Sequence, residues 1–397
     1  MPEPRTRSRF PPTLFAMCCA LGCSPEPSTQ GIPTPTSAGD NTTGTTGGTS
    51  PATTSATTNG SGATNTSGAT SGTASGGATN AGATLETVTS ATTAGASSSP
   101  IGRYGQLQVL AGRLSDENGA PVTLRGQGFG WDNWWPQYYN AEVVAWLRDD
   151  WCVDVIRPAM GIEPEGAFLE DPAASKARVQ AVVEAATAKG IYVIIDWHAH
   201  DRHESEAVAF FSEMAQAYGD KPNVIYEVFN EPEDDETWPE VKVYAETVIA
   251  AIRQHDPDNI VIVGSPEWDQ RIDLVAADPI TSDTNVVYSL HFYAATHGQW
   301  LRDRANTVAL AGIPLIVSES SGSDAAGQGA NDYTEWQAWF DLMEQQQLSW
   351  IHYSVSDKAG ETISVLEPGA AAQGGWDAAQ LTETGEYIRD LLRSHCH

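Results

Sequence analysis

The sequence is poor in basic residues, with only 21 Lys and Arg against 51 Asp and Glu and a formal net charge of −30. A surface of this sign repels phosphate groups, which argues against nucleic acid or an anionic membrane surface as a partner. A neutral or cationic substrate is compatible with the charge, and so is plain solubility in an extracellular setting.

The start of the chain lacks a hydrophobic run long enough to span a bilayer as a helix. Three arginines precede a short apolar stretch, residues 12–23, which ends in Ala-Leu-Gly-Cys. This order is typical of a targeting segment, and small residues before a cysteine suit lipoprotein processing. We expect residues 1–23 to be a lipoprotein-type signal peptide with the lipid on Cys23, the alternative being an ordinary secretory signal. The protein is then a cell-surface or outer-membrane lipoprotein, or otherwise a secreted protein.

Residues 24–100 contain few large apolar or charged side chains and consist mainly of Thr, Ser, Gly, Ala, Asn and Pro. Such a segment buries too little apolar surface to offset the entropy of ordering, so we expect a flexible, disordered linker. Folded protein is expected from about Ile101. The remaining segment, 101–397, is of roughly the size of one α/β barrel.

Residues 101–397 alternate short apolar runs with amphipathic helical stretches, a pattern that indicates parallel strands with crossover helices. Each of eight such runs is followed by a helix or a helix-like segment. The predicted strands are 122–128, 153–160, 191–198, 223–232, 259–266, 285–293, 313–320 and 348–357. We therefore predict an α/β fold, a (β/α)8 TIM barrel, with a β-hairpin at 107–121 covering the barrel bottom. The competing topology is an open doubly wound sheet, whose nucleotide-binding forms need a glycine-rich phosphate loop that is missing here.

Two carboxyl groups end predicted strands, where a barrel of this kind carries its functional side chains. Glu231 follows Asn230 at the end of the fourth strand, and Glu319 ends the seventh. Glycoside hydrolysis needs such a pair: one group protonates the leaving oxygen and the other attacks the anomeric carbon, with retention at a separation of about 5 Å. The surroundings must keep the two groups in opposite protonation states. Arg157, from the second strand, supplies positive charge for this purpose.

Aromatic side chains are concentrated near the same strand ends and offer flat faces for sugar rings. They are Trp131, Trp134, Trp135, Trp268, Tyr293, Trp300 and Tyr353. Core packing is the alternative for any single one of them. Together with the two carboxyl groups, they indicate a carbohydrate substrate.

Six segments, in order along 107–392, carry a family resemblance: "VIRPAM", "DWHAH", "NVIYEVFNEP", "LHFY", "PLIVSES" and "SWIHYSVSDK". They resemble the signature segments of glycoside hydrolase family 5, and within it most closely the bacterial endo-β-1,4-glucanases. The resemblance implies a retaining, endo-acting hydrolase of β-1,4-linked glucan that works without a cofactor or metal. Its substrate is a β-linked polysaccharide or oligosaccharide, and we expect a monomer. Glu231 is then the acid/base and Glu319 the nucleophile.

The resemblance also assigns supporting roles by matching motifs. Asn230 is expected to bind the 2-hydroxyl of the sugar, Trp134 to stack on a sugar on the glycone side, and Lys358 to reach a sugar hydroxyl. The residues expected to support the nucleophile are Arg157, His198, His291 and Tyr293.

Three departures from the family pattern put the preferred glycan in doubt. Ser320 follows the nucleophile where Trp is usual, His352-Tyr353 replaces Asn-Trp, and Gly130 replaces a His after the first strand. We expect these changes to alter the sugar-binding wall and not the carboxyl groups. Mannan, xyloglucan and lichenan are therefore alternatives to a cellulose-type glucan.

Cysteine is scarce in the domain, where only Cys152 and Cys396 remain. In the expected barrel both lie at the bottom face, where the first and last helices are neighbours. Export permits a disulfide, so we predict one between them, the alternative being two buried thiols.

Two rival functions remain open. One is a metal-dependent barrel hydrolase, although such barrels place their paired histidines on the first strand, whereas here they follow the third. The candidate ligands are His198, His200, Asp201, His203 and His291. The other rival is a carbohydrate-binding protein derived from an inactivated hydrolase, which the altered wall favours and the intact glutamate pair opposes.

Overall fold

The computed structural model describes residues 99–396. The predicted signal peptide and all of the predicted linker up to residue 98 lie outside the described residues. The first helix, α1 (Pro100–Tyr104), begins one residue before the expected start of the domain, and the side chain of Ser99 caps it. Within the described range, no helix combines the length and the apolar character that crossing a bilayer requires.

Eight parallel strands close into a barrel, as predicted. The first and last barrel strands, β3 and β11, pair with each other, and the second is split at Pro158 into β4 and β5, both of which pair with β6. The strands are β1 (Gln108–Leu110), β2 (Arg113–Ser115), β3 (Arg125–Phe129), β4 (Val155–Arg157), β5 (Ala159–Gly161), β6 (Tyr192–His198), β7 (Val224–Glu227), β8 (Val261–Val263), β9 (Val286–Tyr293), β10 (Leu315–Ser321) and β11 (Ser349–Val355).

The predicted hairpin is present and covers the bottom of the barrel. Strands β1 and β2 pair antiparallel, with Val109 opposite Leu114. Leu107 and Leu114 belong to the same buried cluster as Tyr192 and Ile225, which lie near the starts of β6 and β7. The hairpin thus closes the apolar interior at the end opposite to the strand carboxyl ends.

Helices surround the barrel, and capping residues mark where they begin and end. Asp171 caps the start of α3, and Gly190, at φ 68°, accepts the left-handed conformation that ends it. The remaining helices are α2 (Ala141–Asp149), α3 (Pro172–Lys189), α4 (Glu204–Tyr218), α5 (Trp238–Ile252), α6 (Pro266–Asp269), α7 (Ile272–Ala277), α8 (Gln299–Leu310), α9 (Tyr333–Gln346) and α10 (Glu383–Arg393). Helices α1, α6 and α7 are short, with five, four and six residues.

The fourth predicted strand, 223–232, is longer than the observed one. Strand β7 ends at Glu227, so Asn230 and Glu231 lie beyond it. Their backbone N–H groups instead donate to the carbonyls of Trp197 and Ala199, at 3.1 and 3.3 Å. The segment is therefore still fixed to the neighbouring β6 side of the barrel, although it is no longer part of the sheet.

The predicted disulfide between Cys152 and Cys396 is present, with Cα atoms 5.4 Å apart and a sequence separation of 244. It joins the segment between α2 and β4 to the end of α10. Closing so long a loop restricts the unfolded chain and stabilises the domain by roughly 3–5 kcal/mol.

Candidate active site

Glu231 and Glu319 meet at the carboxyl end of the barrel. A carboxylate oxygen of each lies within 4.8 Å of the other and of a ring nitrogen of His291. Their side chains are 12% and 5% exposed, so both are largely shielded from water. Such close oxygens are compatible with the separation of about 5 Å between the two carboxyl groups of retaining glycosidases.

Arg157 organises the floor of the site. Its guanidinium is fully buried and donates to Glu227 Oε2 at 2.6 Å, to Glu319 Oε2 at 3.0 Å and to Asn230 Oδ1 at 2.5 Å. A fourth oxygen, Oδ2 of Asp196, lies 3.1 Å from Nη2. A single planar cation therefore fixes two of the predicted site residues, Glu319 and Asn230, relative to each other.

Glu319 accepts a second hydrogen bond, on its other oxygen. Tyr293 donates its hydroxyl to Oε1 at 2.5 Å, while Arg157 occupies Oε2. The register of β9 and β10 makes this contact possible, because it places Glu319 beside His291 and Ser321 beside Tyr293. Two donors, one on each oxygen, hold the carboxylate in a fixed orientation, as a nucleophile needs.

Glu231 is paired with an imidazole. Nδ1 of His291 lies 2.8 Å from Glu231 Oε1, and Nδ1 of His200 lies 3.9 Å from Oε2. Burial raises the pKa of Glu231, but the hydrogen bond and charge of His291 outweigh it and lower this pKa to about 2. Burial lowers the pKa of His291, and the surrounding carboxylates of Asp269, Glu231 and Glu319 overcome it and raise that pKa to about 9. The contact between Glu231 Oε1 and Nδ1 of His291 therefore holds one proton from acidic to mildly alkaline pH.

His198 packs beside the pair as a neutral imidazole. Its Nδ1 lies 2.7 Å from Oδ2 of Asp196. Burial, followed by the positive charge of Arg157, lowers the pKa of His198 to about 3. Because Nδ1 donates to Asp196, the neutral ring presents Nε2 as an acceptor.

Three buried carboxyl groups of the site were not identified from the sequence: Asp196, Glu227 and Asp269. Asp196 and Glu227 interrupt otherwise apolar strands, and this interruption was the available signal, because a buried charge needs a partner. Burial raises the pKa of Asp196 to about 7, against the charge of Arg157. Asp269 follows a turn that has no recognisable sequence pattern.

The aromatic side chains divide into exposed and buried ones. Trp134 is 45% exposed and stacks on Trp131 with ring centroids 4.8 Å apart. Trp131 and Tyr353 are each only 7% exposed and belong to one small cluster. The ring of Tyr353 lies parallel to His198 at 6.0 Å. Trp134 is therefore an exposed platform, whereas Trp131 and Tyr353 are buried against His198.

Lys358 lies on the loop after β11 and bonds to the carboxylate of Glu361. Its side chain is 48% exposed, so it can exchange this partner for a ligand. Its expected contact with a sugar hydroxyl stays a prediction.

The departures from the family pattern do not all affect the site wall. Side chains alternate along a strand, so the residues next to Glu319 and Tyr353 face the opposite side. Ser320 donates to the carbonyl of Ile351 at 2.9 Å, and His352 packs near Trp336 of α9. The expectation that Ser320 and His352 alter the sugar-binding wall is therefore wrong, because both lie in the layer between barrel and helices.

Gly130 leaves no room for a larger residue. A Cβ added there would lie 2.7 Å from a ring atom of Trp135. The indole of Trp135 thus occupies the space that a side chain at position 130 would need. The effect of this departure on the sugar-binding wall stays a prediction.

Two groups of side chains in the described part of the chain are close enough to hold a cation. They are Glu231, His291 and Glu319, and Glu227, Asp269 and His291. Most of these oxygens already accept hydrogen bonds from protein donors, among them Arg157, Tyr293 and Ser318, and we assign no metal to them. Neither group contains the other candidate ligands of the metal-hydrolase rival, His198, His200, Asp201 and His203; His203 and the backbone N–H of His200 contact Glu163.

Comparison with known proteins agrees with this geometry. The family described as "Cellulase (glycosyl hydrolase family 5)" matches residues 115–359. The chain belongs to glycosyl hydrolase family 5. It is thus a glycoside hydrolase, and the resemblance read from its sequence is confirmed.

Two proteins named endoglucanases are among the relatives of this chain. Endoglucanase N of Pectobacterium atrosepticum is 41% identical over 304 residues, covering 75% of this chain and 68% of that protein. Endoglucanase Z of Dickeya dadantii (strain 3937) is 42% identical over 277 residues, covering 68% of this chain and 63% of that protein. The chain thus spans about two thirds of the length of these relatives.

Solved structures show the same barrel. A structure from Cytophaga hutchinsonii is 43% identical with a TM-score of 0.73 and covers 75% of this chain and 97% of that one. The catalytic domain of Thermobifida fusca endoglucanase Cel5A, solved in complex with cellotetraose, is 34% identical with a TM-score of 0.70. That comparison covers 74% of this chain and 99% of the other. The family member described here therefore has the (β/α)8 fold predicted from its sequence.

Proposed function

We propose that this protein is a retaining, endo-acting glycoside hydrolase that cleaves β-1,4-linked glucan by double displacement. The observation that carries the proposal is the close approach of Glu231 and Glu319, which have carboxylate oxygens within 4.8 Å of each other. Arg157 and Tyr293 donate to Glu319, whereas His291 is the partner of Glu231. The relatives named endoglucanases and the cellotetraose complex of one structural neighbour support a glucan as the substrate. We also propose a monomer as the working unit.

In the first step, Glu319 attacks the anomeric carbon as the nucleophile. Tyr293 and Arg157 each use one lone pair of its oxygens and hold the carboxylate in place. Glu231 transfers to the glycosidic oxygen the proton that it shares with His291. The sugar bond breaks, the alcohol leaves with that proton, and a glycosyl ester with Glu319 forms.

In the second step, Glu231 is a carboxylate and acts as a base. It removes a proton from water, and the water oxygen attacks the anomeric carbon and releases Glu319. The departing carboxylate regains its two hydrogen bonds. The configuration of the anomeric carbon is inverted twice and so retained.

Asn230 is placed to recognise the sugar next to the bond that breaks. Its Oδ1 accepts from Arg157, and its buried Nδ2 has no hydrogen-bond partner among the described residues. A buried amide donor without a partner is costly, so a hydroxyl of bound substrate would stabilise it. This supports the role in binding the 2-hydroxyl that the family resemblance implies. Trp134 is available to stack on a sugar farther along the glycone side.

A hydrolysis panel tests the proposal directly. The purified protein and its Glu319→Gln variant are assayed on carboxymethylcellulose, lichenan, xyloglucan and mannan, and NMR follows the anomer formed first. We expect cleavage of β-1,4-glucan with retention and at least a 1,000-fold loss in the variant. Preferred cleavage of mannan or xyloglucan would replace the substrate but keep the mechanism. An unmodified protein that binds these glycans and cleaves none would establish the binding-protein alternative.

We also propose that the protein is exported and held at the cell surface by a lipid on Cys23. The supporting observations are the basic and apolar start of the sequence and the disulfide between Cys152 and Cys396, which suits an oxidising compartment. Metabolic labelling with palmitate should label the protein and leave a Cys23→Ala variant unlabelled. Labelling of both, or of neither, would contradict this attachment.

A further inference from the structure

A buried carboxyl group beside the catalytic pair has no part in the two steps described above. Asp269, the last residue of α6, is fully buried. Its Oδ1 accepts from the backbone N–H of Ser265 at 2.6 Å, and its Oδ2 lies 3.3 Å from Nε2 of His291. The other ring nitrogen, Nδ1, lies 2.8 Å from Glu231 Oε1. Oδ2 of Asp269 has no hydrogen-bond partner among the described residues, so its contact with His291 is electrostatic, and Asp269, His291 and Glu231 lie in a line of three titratable groups.

The backbone places Asp269 there at a cost. Glu267, Trp268 and Asp269 have φ values of 58°, 54° and 63°, the left-handed region that costs a non-glycine residue about 1–2 kcal/mol. Trp268 N donates to the carbonyl of Pro232 at 2.9 Å, which ties this turn to the segment just after Glu231. Strain of this kind persists where the surrounding structure holds it, and it is concentrated at functional sites.

Gly264 provides the space for the carboxyl group. A Cβ at this position would lie 2.8 Å from Oδ1 of Asp269. The end of β8 and the strained turn are thus adapted to each other, which favours a specific placement of this carboxyl group over an accidental one.

The hydrogen bonds around His291 determine which ring nitrogen carries a proton. Ser318 donates its hydroxyl to Glu227 Oε1 at 2.6 Å, so its oxygen is an acceptor for Nε2 of His291 at 3.0 Å. With the hydroxyl in this direction Nε2 is the donor to Ser318, whereas a Ser318 hydroxyl turned toward His291 would leave Nε2 without a proton. The 2.8 Å contact between Nδ1 and Glu231 then requires a proton of its own, on one side or the other.

We propose that Asp269 is a positioning residue for the general acid, which keeps the proton of His291 on Nε2 and thereby keeps a transferable proton in the contact between Nδ1 and Glu231. This rests on the function proposed above. Without the Asp269 carboxylate, a neutral His291 is free to carry its single proton on Nδ1. It would then donate to an ionised Glu231, which has no proton for the leaving group.

The charges around the imidazole agree with this arrangement. Burial raises the pKa of Asp269 and the positive charge of His291 opposes this, while the carboxylates, Asp269 first, raise the pKa of His291 to about 9. The second proton of His291 is therefore retained through neutral pH and lost as the pH rises through about 9. The other titratable or charged groups around His291 and its partner Glu231 are Asp196, His198, His200, Glu227, His297 and Glu319, with Arg157 behind them.

The test compares Asp269→Asn with Glu267→Gln, a matched amide substitution two residues away in the same turn. Glu267 is 44% exposed and pairs with Arg271 at the surface. The assays use phenyl β-cellobioside, whose leaving group needs protonation, and 2,4-dinitrophenyl β-cellobioside, whose leaving group does not. We expect the Asn variant to lose at least tenfold in kcat/KM on the phenyl substrate and to remain within threefold of wild type on the dinitrophenyl one. Its basic pH limb should move down by about one unit or more, because a neighbouring charge shifts a pKa by this amount.

Several outcomes overturn the proposal. Equal losses on both substrates would show a merely structural role, and so would an unchanged basic limb in Asp269→Asn or the same shift in Glu267→Gln. If the Asn variant fails to fold, the ¹⁵N shifts of the His291 ring in the unmodified protein decide: protonated Nε2 at pH 7 supports the proposal, and bare Nε2 refutes it. An unmodified protein inactive on every β-glucan and cellobioside would overturn the proposed function as well, whereas a wild-type-like Asn variant overturns this inference alone.

Discussion

The buried guanidinium of Arg157 allows a substitution that keeps the charge and removes the geometry. In Arg157→Lys, a single Nζ replaces three nitrogens that bond to Glu227, Glu319 and Asn230. The ammonium group still neutralises the buried carboxylates, so the domain should fold. It has no planar fork, however, and cannot reach partners that lie in different directions.

The size of the effect follows from the hydrogen bonds that are lost. At least two bonds to charged or tightly held partners disappear, and each contributes about 1.5–3 kcal/mol, or about 3–6 kcal/mol together. If half of this loss falls on the transition state, kcat/KM decreases by roughly 10- to 150-fold. The rest should appear as a lower free energy of unfolding. Arg157→Met, which removes the charge, should instead cost about 3–5 kcal/mol of stability, because the buried carboxylates are left uncompensated.

The assay is kcat/KM on a soluble β-glucan, combined with urea unfolding. The matched control is Arg253→Lys, because Arg253 also holds several partners, Asp283 and the carbonyl of Asn259 among them, and lies outside the catalytic group. It should lose stability and keep activity. An Arg157→Lys protein that retains more than half of the wild-type kcat/KM would refute the view that the fork of Arg157 sets the geometry of the site.

Three further predictions follow from the same contacts. Tyr293→Phe removes one hydrogen bond to the nucleophile, so kcat/KM should decrease by about 10- to 100-fold with little change in urea unfolding; activity within twofold of wild type would contradict this. Replacing Cys152 and Cys396 by Ser should lower Tm by at least about 5 °C in calorimetry, since roughly 3–5 kcal/mol is lost; an unchanged Tm would oppose it. The pKa of His291 is raised from 6.5 to about 9, so both stability and activity should be complete below about pH 6.5 and decrease as pH rises through 9, when its contact with Glu231 loses the proton. A pH profile that is flat to pH 10 would contradict that assignment.

The barrel could be predicted because its pattern is local and repeated. Each buried strand is an apolar run, and each long helix carries its own start and end signals, such as Asp171 and Gly190 around α3. Glu231 and Glu319 could be paired because parallel barrel strands bring their carboxyl ends to one face. The disulfide followed from the same topology, which places the first and last helices side by side.

Other features depend on tertiary contacts that leave little trace in the sequence. Asp269 enters the site through three consecutive left-handed residues, and no propensity rule predicts such a turn for Glu-Trp-Asp. Whether Ser320 and His352 face the sugar depends on strand phase: a shift of one residue exchanges the two faces. The pairing of Glu231 with His291 needs the register of neighbouring elements, which composition does not specify.

The nucleophile is the point on which the account depends most. Incubation with 2,4-dinitrophenyl 2-deoxy-2-fluoro-β-cellobioside should trap the glycosyl ester, because the fluorine slows its hydrolysis. Mass spectrometry of a proteolytic digest should then place one fluorocellobiosyl group on Glu319. A label on Glu231, or no label in a protein that releases product of inverted configuration, would contradict double displacement by this pair.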